Sequence, residues 1–405
     1  MPKYRKEDLM SDFKMQLPGD VLFIIDRMNK SGYSAHVVGG SVRDSLIGRE
    51  LGDFDITTSA LPEETKSVFD GYRIVDTGIK HGTVTLVLDG VPYEITTYRV
   101  DGDYKDNRHP ECVTFTASLS EDLARRDFTV NAMAYDPTRG LVDPFGGQID
   151  AKKRVIRAVG DPYRRFDEDA LRILRALRFA SVLGFEIDDT TAKAARELSS
   201  NLSSISKERI YTEFKKLLMG KSAIDVLSCY ADIIAVALDG FKISALPDKE
   251  KFTDADYLTR LAAVFKMNAT DPIAAADMVL TALKTDKFTR THTISVLKAY
   301  KESSFGTEKE ALLLLARHGR ESVEGALALG LLEGGFSQNE RENLTLAIDS
   351  GTPYTISGLA VRGGDLSSIG IKGEGIGETL TRLLYAVING EVKNDKEALL
   401  ELAKK

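Results

Sequence analysis

The chain has 405 residues, 43% of them hydrophobic and 28% charged, with a net charge of −7, ordinary values for a globular protein of about two to four domains. No apolar run reaches the roughly eighteen residues of a membrane-spanning helix, and the N-terminal MPKYRKEDLM lacks a signal-peptide core. Two distant cysteines, Cys112 and Cys229, support neither a disulfide framework nor a zinc site and fit a reducing, cytoplasmic setting.

In chain order, Asp20–Asn29 has the spacing of an amphipathic helix. Ala35–Val38 is a short strand running into Gly39–Gly40, and Ser41–Ile47 is helical, stopped by Gly48. Phe54–Thr57 and Thr83–Leu88 are rich in β-branched residues and read as strands. Asp89–Gly90 is a hairpin turn with Val91–Tyr98 returning. Residues 101–111 are polar, with Gly, Asn and Pro, and read as a loop. After Asp150 the strand signals end. Asp167–Leu183 predicts one helix closed by Gly184, and Ser206–Met219 another closed by Gly220; the remainder is helix broken by loops such as Gly351–Pro353. The expectation is an α+β chain: a mixed-sheet head with helices, then an elongated all-α remainder. Residues 151–220 carry fifteen Lys and Arg against ten Asp and Glu. That suits a local grip on one RNA; a solvated helix face would look the same.

Three groups of residues carry chemistry. Gly39 and Gly40, leading into a helix, let backbone N–H groups approach a phosphate, with Arg43 one turn on. Asp53 and Asp55, two apart on the next strand, would point to one face and offer two oxygen ligands to Mg²⁺. A D-x-D pair alone is usually an exposed loop; its place after strand–Gly-Gly–helix makes it a nucleotidyl-transfer signal. Glu94, on the strand after the hairpin, is a candidate third carboxylate or else a solvent-facing edge residue. In Arg125–Ala132, RRDFTVNA, Arg126 and Asn131 are candidates for triphosphate and ribose contacts, the bland alternative being an Arg126–Asp127 salt bridge. In Glu168–Arg172, EDALR, Asp169 and Arg172 would share one helix face. The carboxylate would accept from the amino group of C or A and the guanidinium would donate to the adjacent ring nitrogen, rejecting G and U. Otherwise they form a surface ion pair worth roughly 0.2–0.5 kcal/mol.

The strings GGSVRD…DFDITTSA, RRDFTVNA, DPFGG, EDALR with Arg175, Arg178 and Phe179, and KERI…EF over Lys207–Phe214 resemble, in order and spacing, the five motifs of the class II tRNA nucleotidyltransferase and poly(A) polymerase family. That family lies within the DNA polymerase β nucleotidyltransferase superfamily. The resemblance implies a polymerase-β-like nucleotidyltransferase head at 1–150 and a helical, base-reading neck at 151–222. It implies a helical body at 223–300 and a tRNA-binding tail at 301–405. It makes Asp53 and Asp55 the metal ligands, with Glu94 added to the catalytic set. Gly39, Gly40, Arg43, Arg126, Asp127, Asn131, Asp169, Arg172, Arg175 and Arg178 become the nucleotide-binding set. DPFGG suits a hinge, and the KERI helix steadies the template helix. The implied reaction is template-independent addition of CMP and AMP, from CTP and ATP, to the 3′ end of tRNA.

The segment Ile74–Val84 and the polar loop Tyr104–Pro110 resemble CCA-adding members rather than bacterial poly(A) polymerases or CC-adding enzymes. His109 stands where the family usually has an Arg. Gly364-Asp365-Leu366 and Gly375-Ile376-Gly377 resemble the tail of CCA-adding members. Alternatives are A-only addition beside a separate CC-adding enzyme, poly(A) polymerisation, and an inactive structured-RNA-binding protein. Oligomeric state is not legible.

Overall fold

The computed structural model describes residues 13–102 and 113–405, so the expected loop at Tyr104–Pro110, with His109, and Cys112 lie outside the described residues. The chain divides into two units, Met1–Gly240 and Phe241–Lys405.

The strands of the first unit are β1 (Ala35–Val38), β2 (Asp55–Thr58), β3 (Arg73–Gly78), β4 (Thr83–Leu88), β5 (Val91–Thr97), β6 (Arg99–Asp101), β7 (Val113–Phe115), β8 (Ala134–Asp136) and β9 (Gly140–Val142). Seven form one sheet in the order β3-β4-β5-β2-β1-β8-β9. It is mixed: β2 runs antiparallel to β1 but parallel to β5. The β4–β5 hairpin turns through Asp89 (φ 47°) and Gly90 (φ 85°), both left-handed, as the twist of a tight hairpin demands. β6 and β7 pair separately. Helix α1 (Gly19–Lys30) buries Val21, Ile24, Ile25 and Met28, the i, i+3, i+4, i+7 stripe, in one core with Val37, Ile56, Leu86 and Ile95 of the sheet. Helix α2 (Gly40–Leu46) follows β1 directly. Then come α3 (Pro62–Val68), α4 (Leu119–Ala124) and α5 (Gly147–Lys153).

Two expectations are corrected beyond Asp150. A parallel pair of two-residue strands, β10 (Val155–Ile156) and β11 (Glu186–Ile187), persists there; strands that short carry no periodicity to read. The single helix expected over Asp167–Leu183 is two, α6 (Pro162–Glu168) and α7 (Leu171–Leu183). Asp161 caps α6 through the Tyr163 amide at 3.0 Å. At Asp169 the backbone leaves the helix (φ −144°, ψ 101°), and its carboxylate accepts from the Leu171 amide at 3.1 Å. A side-chain acceptor for an otherwise orphaned helical N–H restarts the helix there. Gly184 closes α7 in the left-handed conformation (φ 69°). After α8 (Asp189–Glu197), α9 (Lys207–Leu218) packs on α7. A Cβ on Gly220 would lie 2.6 Å from the Ser181 carbonyl oxygen, so the two helices meet where only glycine fits.

The second unit is helical from Lys249–Asp254 to Lys396–Ala403. Asp248, Asp256, Asp271, Asp286 and Asp395 each cap a helix through their side chains. Its core joins Leu312, Leu315, Leu366, Leu383 and Leu399. Among the described residues no helix is long and apolar enough to cross a membrane.

Candidate active site

β1 ends at Val38, and the chain turns at Gly39 (φ 77°, ψ −129°) into α2. A side chain at Gly39 would be strained in that conformation and would place Cβ 3.2 Å from Arg126 Nη1. Because Val38 pairs with Asp55, β2 begins at Asp55. Asp53 precedes the strand, without a ladder partner, and is not on it as expected. The two charges still feel one another. Withdrawal of the Asp55 carboxyl from water raises its pKa, the Arg126 guanidinium lowers it, and the Asp53 charge raises it again, leaving it above the ordinary carboxylate value. A divalent cation would relieve that penalty, so the donor set fits one. Pairing of Ile56 with Ile95 places Asp55 and Glu94, one residue back on each strand, on the same sheet face. Among the described residues, however, no three carboxylate, His or Cys groups lie close enough to hold one metal ion.

Beside Asp55 opens a cavity of about 540 Å³. Gly39, Gly40, Arg43, Asp55, Arg126, Asp127, Asn131, Asp169, Arg172, Arg175 and Arg178 all line it, together with Arg125, Leu171, Phe179 and Arg209. Of the candidate residues only Asp53 and Glu94 stand outside the wall. The wall itself carries seven arginines and three aspartates, with further acids paired behind the arginines, a donor-rich surface suited to an anionic ligand.

A chain of hydrogen bonds fixes the wall. Arg43 grips Asp44 through Nε and Nη2, both at 2.9 Å, and donates from Nη1 to Asn131 Oδ1 at 2.6 Å. Asn131 Nδ2 donates to Asp127 Oδ1 at 3.1 Å, and Asp127 Oδ2 accepts from Arg175 Nε at 2.8 Å and Nη2 at 2.6 Å. Burial alone would raise the Asp127 pKa; Arg175, Asn131 and Arg172 outweigh it and bring it to about 2. The suggested Arg126–Asp127 bridge is therefore absent. Arg126 lies 3.5 Å from Asp122, a fully buried carboxylate that also holds Arg125 at 2.8 Å. Nε of Arg126 and Nη1 of Arg209 are buried with no hydrogen-bond partner, donors that phosphate or carbonyl oxygens would satisfy.

Asp169 and Arg172 line the same cavity, but neither as one helix face nor as an ion pair. Asp169 Oδ2 accepts from Arg209 Nη2 at 3.0 Å. Arg172, buried, donates to Glu168 Oε2 at 2.8 Å and to the carbonyls of Arg165 and Arg125 at 3.0 and 3.1 Å. Those bonds use three of its five N–H groups.

DPFGG is close-packed. Asp143 accepts from the amides of Gly147 and Gln148 at 2.8 and 2.9 Å, and a Cβ on Gly147 would lie 2.1 Å from the Thr129 carbonyl oxygen. Sequence reasoning gave no site role to Asp122, Phe179 or Arg209. The available signal was spacing: Asp122 sits three and four residues before the Arg125–Arg126 pair, the separation at which helical side chains meet.

The family model Poly A polymerase head domain matches residues 35–157, "Probable RNA and SrmB- binding site of polymerase A" matches 184–228, and tRNA nucleotidyltransferase domain 2 matches 256–403. The CCA-adding enzyme of Geobacillus thermodenitrificans (strain NG80-2) is 38% identical over 397 residues, covering 93% of this chain and 94% of its own length. That of Ligilactobacillus salivarius (strain UCC118) is 36% identical over 412 residues, covering 98% of both. The crystal structure of the Bacillus stearothermophilus CCA-adding enzyme in complex with CTP is 32% identical, with a TM-score of 0.79 over 96% of this chain and 98% of that one. The chain belongs to the CCA-adding enzymes of the class II tRNA nucleotidyltransferase and poly(A) polymerase family.

Proposed function

We propose that the cavity holds CTP or ATP and that the chain adds CMP, CMP and AMP in turn to the 3′ end of tRNA in the cytoplasm, with Mg²⁺ on Asp53 and Asp55. Polymerase-β-like nucleotidyltransferases in general use a divalent metal. The observation that carries the reading is one continuous wall. It joins the Gly39–Gly40 turn and Asp55 to Asp169 and Arg172, so phosphate, sugar and base contacts lie within reach of one nucleotide.

In this reading Gly39, Gly40, Arg43, Arg175 and Arg178 hold the triphosphate. Arg126 and Asn131 hold the ribose, with Asp127 orienting Asn131 and Arg175. Asp169 accepts from the exocyclic amino group and Arg172 donates to the neighbouring ring nitrogen. Uracil and guanine would set a carbonyl oxygen against the Asp169 carboxylate and an N–H against the Arg172 guanidinium, a mismatch that gives a strong basis for exclusion. The tRNA 3′-hydroxyl oxygen attacks the α-phosphorus as its proton passes to solvent, the bond to the bridging oxygen breaks, and pyrophosphate leaves. Mg²⁺ held by Asp53 and Asp55 would supply positive charge that offsets the charge developing on the 3′-oxygen and on the departing pyrophosphate. Glu94 contributes negative charge on the same sheet face. Labour divides along the chain as catalytic head 1–150, base-reading neck 151–222, body 223–300 and tRNA-holding tail 301–405.

The test is primer extension on tRNA transcripts ending before CCA, after C and after CC, each given CTP, ATP and Mg²⁺. Extension of all three to one CCA end is expected. Extension of only the CC-ending transcript, by one A, would make this an A-adding enzyme. A long A ladder would make it a poly(A) polymerase, and no extension would remove the proposal.

A further inference from the structure

Phe179, on α7, is 8% exposed and lies edge-on to the fully buried Phe128, with ring centroids 5.8 Å apart and an interplanar angle of 80°. Three guanidinium groups surround its ring: the Cζ of Arg178 at 3.9 Å from the centroid, Arg43 at 5.2 Å and Arg175 at 5.5 Å. All four residues line the cavity. Three cations gathered on one ring repel one another, and more so where water is excluded. Each has an acid beside it: Asp44 for Arg43 at 2.9 Å, Asp127 for Arg175 at 2.6 Å, Glu213 for Arg178 at 2.9 Å. Glu213 also lies 3.9 Å from Arg175, but no one of these acids reaches all three arginines. What the three share is the ring, whose negative π-face attracts a cation without occupying an N–H donor. A carboxylate in its place would gather the arginines and also repel a polyphosphate. An aliphatic side chain would fill the volume and attract none of them.

We propose that Phe179 is a positioning residue that gathers Arg43, Arg175 and Arg178 into one polyphosphate-binding face, its ring serving as an uncharged counter-surface. This rests on the reading that these arginines hold the triphosphate. Pairing by the ring takes up none of the N–H groups that the neighbouring acids leave over, and a neutral partner adds no negative charge to the wall.

The experiment compares wild type with Phe179→Leu, Phe179→Tyr and Arg178→Met. It measures KM and kcat for CTP and ATP on tRNA transcripts, UTP incorporation, and inhibition by inorganic pyrophosphate, a probe with the polyphosphate and no base. Phe179→Leu is expected to raise both KM values and the pyrophosphate inhibition constant together, by about tenfold, since three cation–π contacts are lost. Its kcat and its exclusion of UTP stay near wild type, and Phe179→Tyr restores all constants. A lowered melting temperature and kcat with unchanged pyrophosphate inhibition would make Phe179 a packing residue only and overturn the proposal. If Arg178→Met also leaves pyrophosphate inhibition unchanged, the arginine reading itself falls. If Arg178→Met weakens it and Phe179→Leu does not, only the role of Phe179 falls. Should the Leu variant not fold, Phe179→Met, closer in length, is judged by the same two constants.

Discussion

Arg209 on α9 donates from Nη2 to Asp169 Oδ2 at 3.0 Å, while the Leu171 amide occupies Asp169 Oδ1 at 3.1 Å. A carboxylate at a helix break would otherwise be free to turn about its side-chain bonds; these two donors fix it. Each oxygen keeps a second lone pair, so a base amino group can still be accepted, in one orientation. Arg209→Met keeps the length and removes the donor. The ratio of kcat/KM for UTP to that for CTP is expected to rise about tenfold, the value of one good hydrogen bond to a charged group, with Arg209→Lys in between. A ratio equal to wild type in Arg209→Met would show that α9 supports α7 without bearing on base choice.

Asp127 links stability to pH. Its folded pKa, about 2, lies below the value of 3.8 from which it is shifted, so the ionised form is favoured by folding. The resulting stabilisation, about 2 kcal/mol at most, is present above the unfolded pKa and is lost as pH falls through the folded one. Denaturant unfolding of wild type and Asp127→Asn should show a gap that is constant above about pH 5 and narrows toward pH 2. A gap independent of pH across that window would mean that the Arg175–Asp127 pair does not hold the carboxylate down.

Much of this was legible because its physics is local. The Gly39–Gly40 turn, the Asp89–Gly90 hairpin and the α1 stripe each declare themselves within a few residues, and all three appear where expected. The candidate glycines, arginines and Asn131 fall in short strings and line one cavity, but Arg125, Leu171, Phe179 and Arg209 line it too and stood in no candidate set. Partnership across the chain was not legible. The ion pair that spacing allows between Asp169 and Arg172 does not form; Arg172 pairs with Glu168 instead. Asp169 pairs with Arg209, forty residues on. Helical spacing shows only who shares a face, and the break at Asp169 removed even that. Likewise nothing within DPFGG tells that Gly147 packs against the Thr129 carbonyl.

The carboxylates predict a split between binding and turnover. Asp55→Asn keeps the shape of the β2 entrance and leaves the seven arginines untouched. Turnover with Mg²⁺ should fall on the order of a thousandfold, the loss of several kcal/mol of charge stabilisation at the transferred phosphoryl group. CTP binding without metal, followed by equilibrium dialysis in EDTA, should be equal to wild type or tighter, because a negative charge has been removed from the mouth of a phosphate site. Asp53→Asn should show the same split. Near-normal turnover in either variant would contradict the assignment of the pair as metal ligands.

Gly147 opens α5 and carries no left-handed φ, so its need for glycine is one of space alone. The methyl group of Gly147→Ala would sit 2.1 Å from the Thr129 carbonyl oxygen and 2.9 Å from Met133 Cγ, distances no contact tolerates, and the first neighbour is backbone. Thr129 begins the short 3-10 turn Thr129–Asn131, and Asn131 is the link between Arg43 and Asp127. Any shift that admits the methyl therefore moves a residue of the cavity wall. The expected cost is about 3 kcal/mol, the upper range for overpacking a filled interior, seen as a lowered melting temperature. KM for CTP and ATP should rise together, since Asn131 serves either nucleotide, while the preference for C and A over U and G holds because Asp169 and Arg172 are fixed by other partners. If DPFGG instead worked as a hinge between head and neck, a small added side chain would leave the melting temperature near wild type and change kcat alone.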